Sequence, residues 1–362
     1  MSVTALNRRS VSNPRPVVHI DGQTSDMLSQ LLLAMDMREK EGGLSALELR
    51  LSNIASDRDG GADYAFEDER DIHLGSTITV FAGDASEPQE IFRGVITGLE
   101  AEFPESTPPE LLVLAEDRLQ HARMARRSHV YSEMSVADIT REIAQRFNLQ
   151  AEIDGLTSPN GTWVQVNESD LAFLRRLLRR FDADLQIVED RLEVARISEV
   201  QRQVIALEMF SDLRSVKFVA DLSHQVTEVT SAGWNALTGR EVSGSSRGTN
   251  FGPGRGRRGA TLLREGIGER VEHVGHVSVT TDEEAQALAD TVFDQRARSF
   301  VTAEGVAAGH PSIRVGSHLQ LSGISHRFDN TYCVVSTHHR LDLQQGYMID
   351  FKADSSAIGE VS

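Results

Sequence analysis

The sequence predicts a mainly β chain in which two related β domains flank a small α+β insertion. Three features predict it. Short alternating segments, bounded by turn residues, fill the first and last thirds. Between about residues 118 and 200 the apolar spacing changes to that of amphipathic helices. Finally, Leu74-Gly75-Ser76-Thr77-Ile78-Thr79-Val80 is matched by Val315-Gly316-Ser317-His318-Leu319-Gln320-Leu321 near the end. In each copy a second strand follows (Phe92 to Leu99; Tyr332 to His339). A third then ends in Ala115-Glu116-Asp117 or in Lys352-Ala353-Asp354.

Residues 1–16 are polar and contain proline, and read as a flexible N-terminal arm. The first β domain then spans 17–117. Ser45 to Asn53 alternates, with Leu47, Leu49 and Leu51 on one face and Glu48, Arg50 and Ser52 on the other. Thr77 to Phe81, Glu90 to Leu99 and Leu111 to Ala115 continue the pattern, separated by Gly83-Asp84 and the prolines of 104–109.

The α+β insertion spans 118–205. Ser135 caps a helix with Asp138 three residues on, and Val136, Ile139, Ile143 and Phe147 share its apolar face. A second helix after Asn167 carries Glu168 and Asp170 at its start and Arg175, Arg176, Arg179 and Arg180 toward its end, which suits the helix dipole. Leu185 to Val188 and Leu192 to Ile197 read as a hairpin covered by these helices.

The second β domain spans 206–362. Its strands are Val216 to Val219, Val226 to Trp234, Ser317 to Leu321, Tyr332 to Leu341 and Tyr347 to Lys352, with a helix at 282–300. Residues 244–270 hold eight glycines and six arginines against two glutamates, and read as a long mobile loop. Its plain role is a flexible connection. The functional alternative is a basic patch, with Arg247, Arg255, Arg257 and Arg258, that docks on an acidic partner.

The 362 residues are 40% hydrophobic and 25% charged, enough to build a folded core and ordinary for a globular chain. No apolar run reaches the ~18 residues of a membrane helix, and Met27 to Met37 is interrupted by Ser29, Gln30 and Asp36. A net charge of −17 and 6% aromatic residues argue against specific nucleic-acid binding. The single cysteine, Cys333, excludes an intrachain disulfide framework and a cysteine-rich zinc site. No secretory signal is legible at the start.

No nucleophile elbow, HExxH or CxxC occurs, and the glycine-rich run 252–259 lacks the Lys-Ser/Thr ending of a phosphate loop. Asp57, Asp59 and Asp63 misplace the glycine and the terminal glutamate of a calcium loop and read as solvated acids. His338 and His339 are adjacent, so on a strand they face opposite sides and do not share a metal; His273 and His276 read as structural or surface histidines. No catalytic residue, metal or cofactor is expected. Paired carboxylates for glycan hydrolysis stay open, because acids are too plentiful to single out.

Several segments together resemble the phage late control D family, the baseplate hub proteins of contractile tails. They are 92–103 (Phe92-Arg93-Gly94 onward), Ala115-Glu116-Asp117-Arg118-Leu119, Met134 to Ile139 with Glu142-Ile143-Ala144, and Asn167 to Leu177. Gln225 to Thr230 with Gly233-Trp234, and Gly316 to Phe351, complete the set. Glu168-Ser169-Asp170-Leu171-Ala172-Phe173-Leu174 is also similar to the hub portion of type VI secretion spike proteins.

The resemblance implies that both β domains are tube-type β-barrels and that the chain forms a homotrimer. Three pairs of barrels would make a pseudo-sixfold ring joining a central spike to a hexameric inner tube, with other baseplate proteins around it. The protein would be made in the bacterial cytoplasm and assembled into a virion tail or an injection-system particle, with no membrane insertion of its own. Because the chain stops soon after Asp354, the needle is expected on a separate polypeptide or lost by truncation. The alternatives are a tail-tip glycan-active enzyme and a monomeric binding module using the basic segment 247–270.

Overall fold

A computed structural model describes residues 12–56, 62–67, 71–84 and 88–359. Its backbone is one sheet of 13 strands with two inserted units on it. Part of the expected N-terminal arm lies outside the described residues. The rest does not behave as an arm: Ser12–Ile20 is a strand, pairing Val17 with Phe81 and Ile20 with Ile78. Val18 and Ile20 bury their side chains there, which is what holds the segment down.

The sheet contains two runs built in the same order. In the first, Ser12–Ile20 lies beside Thr77–Asp84, followed by Gln89–Glu102, Glu110–Asp117, Ala46–Ser52 and Leu32–Lys40. In the second, Val204–Glu208 lies beside His318–Ser322, followed by Asn330–Asp342, Gly346–Ser355, Val301–Ala308 and Leu213–Ala220. One difference is that Ser12–Ile20 pairs antiparallel with its neighbour whereas Val204–Glu208 pairs parallel with its own.

The repeat seen in the sequence extends to single hydrogen bonds. Gly75 N–H donates to Ile96 O and Ile96 N–H to Ser76 O, both at 2.9 Å; Gly316 N–H donates to Val334 O and Val334 N–H to Ser317 O, also at 2.9 Å. Both long second strands carry a bulge one step further, between Ile96 and Gly98 and between Val334 and Ser336.

The two runs are fused into a single sheet. The last part of Asn330–Asp342 pairs with Leu32–Lys40, setting His338 opposite Arg38 and Arg340 opposite Asp36. A single apolar core serves both runs, from Val18, Met35 and Leu49 to Leu319, Val334 and Ile349.

Two inserts have cores of their own. Residues 118–200 bury Ile139, Phe173, Leu174 and Leu192 between the helices Val136–Arg146 and Asp170–Arg179 and the strands Ala183–Val188 and Arg191–Arg196. The cap at Ser135 is present, its hydroxyl accepting from Asp138 N–H. The second helix starts two positions later than Asn167 and Glu168 suggest, because both belong to the strand Gly161–Ser169 and Ser169 is the cap.

The other insert interrupts the second run. Glu228–Asn235, Arg240–Ser246 and Val271–Val274 form a three-stranded sheet packed under the helix Asp282–Arg298, with Val229, Val242, Ala289 and Phe293 at its centre.

Candidate functional site

The basic segment 244–270 is not the mobile loop that its composition suggests. It continues the strand Arg240–Ser246 and contains the helix Gly259–Gly266. Gly248, Gly252, Gly254 and Gly256 all adopt positive φ. These turns lay the chain against its neighbours instead of releasing it. Thr249 donates its N–H and hydroxyl to Asp294, and Pro253 O accepts from the hydroxyl of Ser356 at 2.9 Å. Arg257 and Arg258 pair as a short strand with Ile358 and Ala357.

The four arginines singled out in the sequence therefore differ in availability. Arg258 stacks its guanidinium 3.7 Å from the centre of the Phe251 ring, and Arg257 forms an ion pair with Glu265. Arg247 pairs with Glu228 at 3.0 Å but leaves its side chain 74% exposed. Arg255 is exposed, and among the described residues only its backbone is held, by Asn330.

A dense polar cluster lies instead where the first run, the α+β insert and the second run meet. The turn after Leu32–Lys40 passes through Gly42, Gly43 and Leu44, all at positive φ. Arg175 of the insert donates to Gly42 O and Gly43 O, both at 2.6 Å, and Asp184 accepts Gly42 N–H at 2.9 Å. Asp117 accepts N–H groups of Ser45 at 2.5 Å and Leu119 at 2.9 Å; burial nevertheless pushes its carboxyl up to about 6.

Arg202 ties this edge to the second run, donating to Val315 O at 2.8 Å and to Glu193 at 2.9 Å. Glu39 and Arg314 form a two-pronged pair at 2.9 and 2.7 Å, with Val315 N–H as a third donor to Glu39. Burial opposes the Glu39 charge, but Arg314 and these donors hold the carboxyl below its ordinary value. Arg298 clasps Asp182 at 2.5 and 3.1 Å with both side chains under 10% exposed. Beside them burial pushes Glu41 up to about 7 and the Cys333 thiol up to about 12. A thiol held that high is inert at neutral pH.

A cleft of about 630 Å³ opens beside this junction. Of the carboxylates that line it, Glu39 is paired with Arg314, Glu90 with Arg93, Glu193 with Arg202 and Glu152 with Arg191, Asp117 caps two backbone N–H groups, and Asp154 and Glu189 lie exposed at its rim. His339, buried, bonds Tyr347 Oη and Ile313 O, and burial lowers its pKa to about 3. His338 lies on the opposite face, 2.5 Å from Asp36. Among the described residues no group of three His, Cys, Asp or Glu side chains is placed to hold a metal ion. Of the calcium-like acids, Asp57 and Asp59 lie outside the described residues. Among the described residues no helix is long and apolar enough to cross a membrane.

A family model described as the Alg8 N-terminal domain matches residues 53–342, most of the chain. The chain belongs to that family. The description names a domain and no reaction. No curated protein matches by sequence.

Among solved structures, the chain is similar to the 43 kDa tail protein of prophage MuSo2 from Shewanella oneidensis, with a TM-score of 0.67 at 13% identity, covering 95% of this chain and 99% of that one. A tail protein from Neisseria meningitidis MC58 gives 0.66 at 11% identity over 94% and 96% of the two chains. The E. coli c3393 protein gives 0.61 at 14% identity over 95% and 79%. It is described as a type VI secretion component with structural similarity to the T4 tail proteins gp27 and gp5. The fold is thus one found in phage tail proteins and in type VI secretion proteins related to them.

Proposed function

We propose that the chain is a structural baseplate hub subunit of a contractile tail or of a contractile injection system, in the class that its late control D resemblance suggests. In this reading 17–117 and 206–362 are tube-type barrels, 118–205 is a peripheral domain, and three copies close into a ring. The observation that carries it is the duplicated strand order. Each chain supplies two equivalent runs, so three chains supply six, which matches a sixfold tube on one side and a threefold spike on the other.

The polar junction suits a mechanical part. Most of its charges sit in pairs and backbone contacts that lock the runs and the insert together, and the subunit works as a scaffold without catalysis. Arg247 and Arg255 are the residues left to meet an acidic baseplate neighbour, central spike or tube protein.

Light scattering of the purified protein over a concentration series tests this reading. The expected mass is three times 39.9 kDa, or that plus the bound spike where spike protein drives assembly. A monomer that ignores both spike and tube protein removes the hub reading. Alanine at Arg247 and Arg255 is expected to weaken capture of those partners while leaving the trimer mass unchanged.

A further inference from the structure

The internal repeat states which strand edges belong together. The shared hydrogen bonds and bulges align Ile96 with Val334, and therefore Leu99 with Thr337, Glu100 with His338, Ala101 with His339 and Glu102 with Arg340. The same ladders align the outer strands. Leu47 opposes Ala115 as Ala303 opposes Ala353, and Met37 opposes Leu47 as Phe218 opposes Ala303. Asp36, Arg38 and Glu39 thus correspond to Lys217, Val219 and Ala220.

Within the chain, one pair of these edges is joined: Thr337 to Arg340 lies against Asp36 to Glu39. Its counterparts are open. Among the described residues Leu213–Ala220 pairs with Val301–Ala308 and otherwise makes a single bridge, Leu213 to Met209, and beyond Ile96 the strand Gln89–Glu102 pairs only with Glu110–Asp117. Where the joined edges bury Thr337 and Met37, their counterparts on the open edges are less covered: Leu99 is 39% exposed and Phe218 only half-buried. Unpaired edges of this kind are templates for another strand.

We infer that the edge 97–102 pairs antiparallel with the edge 213–220 of a second copy, in the register that joins the two runs inside one chain. Leu99 then faces Ala220, Glu100 faces Val219, Ala101 faces Phe218 and Glu102 faces Lys217. The last pair sets opposite charges across the seam, as Arg340 and Asp36 do inside the chain, with the signs exchanged. Leu99 and Ala101 fall on the face of Phe218, which already packs on Phe328 and Tyr332, so the seam extends an existing core. The contact is head-to-tail, because the two edges differ, and such contacts close into rings or run on as filaments. Only the closure at three rests on the hub reading.

Disulfide trapping tests the register. Opposed Cα atoms across an antiparallel pair lie about 4.5–5.5 Å apart, within disulfide range. The variant Glu100→Cys with Val219→Cys is expected to give, on oxidation, a reducible ladder that ends at three chains. Either single variant gives none. Glu100→Cys with Ala220→Cys, one residue out of register and facing the other side, also gives none. As a second measurement, Glu102→Lys or Lys217→Glu alone is expected to weaken assembly at least threefold, and the two together to restore it. A native trimer that does not link at 100 and 219, or links equally at 100 and 220, overturns the pairing and leaves the hub reading standing. A ladder that runs past three keeps the pairing and removes threefold closure. A chain that stays monomeric with spike and tube protein removes both.

Discussion

Glu39 occupies a core-facing position on Leu32–Lys40, in line with Met35 and Met37, and is 5% exposed. A carboxylate there is tolerable only because Arg314, 275 residues away, reaches it with two donors. Arg314→Ala leaves that charge buried without its counter-ion, and is expected to destabilise the chain by about 3–5 kcal/mol in urea unfolding. Glu41 behaves oppositely. Burial raises its pKa from an ordinary 4.5 to about 7, so between those values the folded state holds a proton that the unfolded chain has lost. Its contribution is full below about pH 4.5 and is lost as the pH rises through 7. Glu41→Gln should therefore stabilise the protein at pH 8 relative to wild type by on the order of 1–2 kcal/mol, and hardly at pH 4; paired urea titrations show it. Neither residue could be found from the sequence. Glu39 reads as an irregularity in an alternating strand, and nothing local points to Arg314.

The turn at Gly42–Ser45 shows how one short element joins units far apart in sequence. A Cβ on Gly43 would lie 2.8 Å from Leu185 O and 2.6 Å from a Leu119 methyl, on a backbone at φ +70°. Gly43→Ala is expected to cost about 1–3 kcal/mol and to speed amide exchange in the docked strand Ala183–Val188 before the rest of the sheet. Elements with strong local signals were legible: the alternating Ala46–Ser52, the capped helix at Val136–Arg146, and the hairpin at 183–196. Val301–Ala308 was not, because its inward positions are Val301, Ala303, Gly305 and Ala307, too small to stand out as an apolar stripe. The helix Gly259–Gly266 was hidden by flanking glycines that signal loop in composition but form turns in the fold. The basic patch was legible as charge, yet the stacking of Arg258 on Phe251 and the pairing of Arg257 with Glu265 depend on contacts that the sequence order does not show.

At the scale of the whole molecule, the duplicated trio was readable from Gly75-Ser76 and Gly316-Ser317. The fusion of both runs into one sheet was not, since it depends on the edge that Asn330–Asp342 extends beyond its own hairpin. That fusion sets two opposing terms for the proposed ring. Each chain carries −17, so bringing three together raises like-charge repulsion, which salt screens over about 8–10 Å. The seam itself offers apolar contact and one opposed charge pair, Glu102 with Lys217, worth at most about 1 kcal/mol at an exposed site. Net repulsion acts between whole chains and the single attraction at one point, so the repulsive term is the larger. The trimer should therefore tighten as sodium chloride rises from about 20 to 150 mM, a window over which the screening length shortens from about 20 to 8 Å. Sedimentation equilibrium across that series measures it. A trimer that loosens with salt would mean that complementary charges dominate the contact, and would direct attention from the apolar strand edges to the basic segment around Arg247 and Arg255.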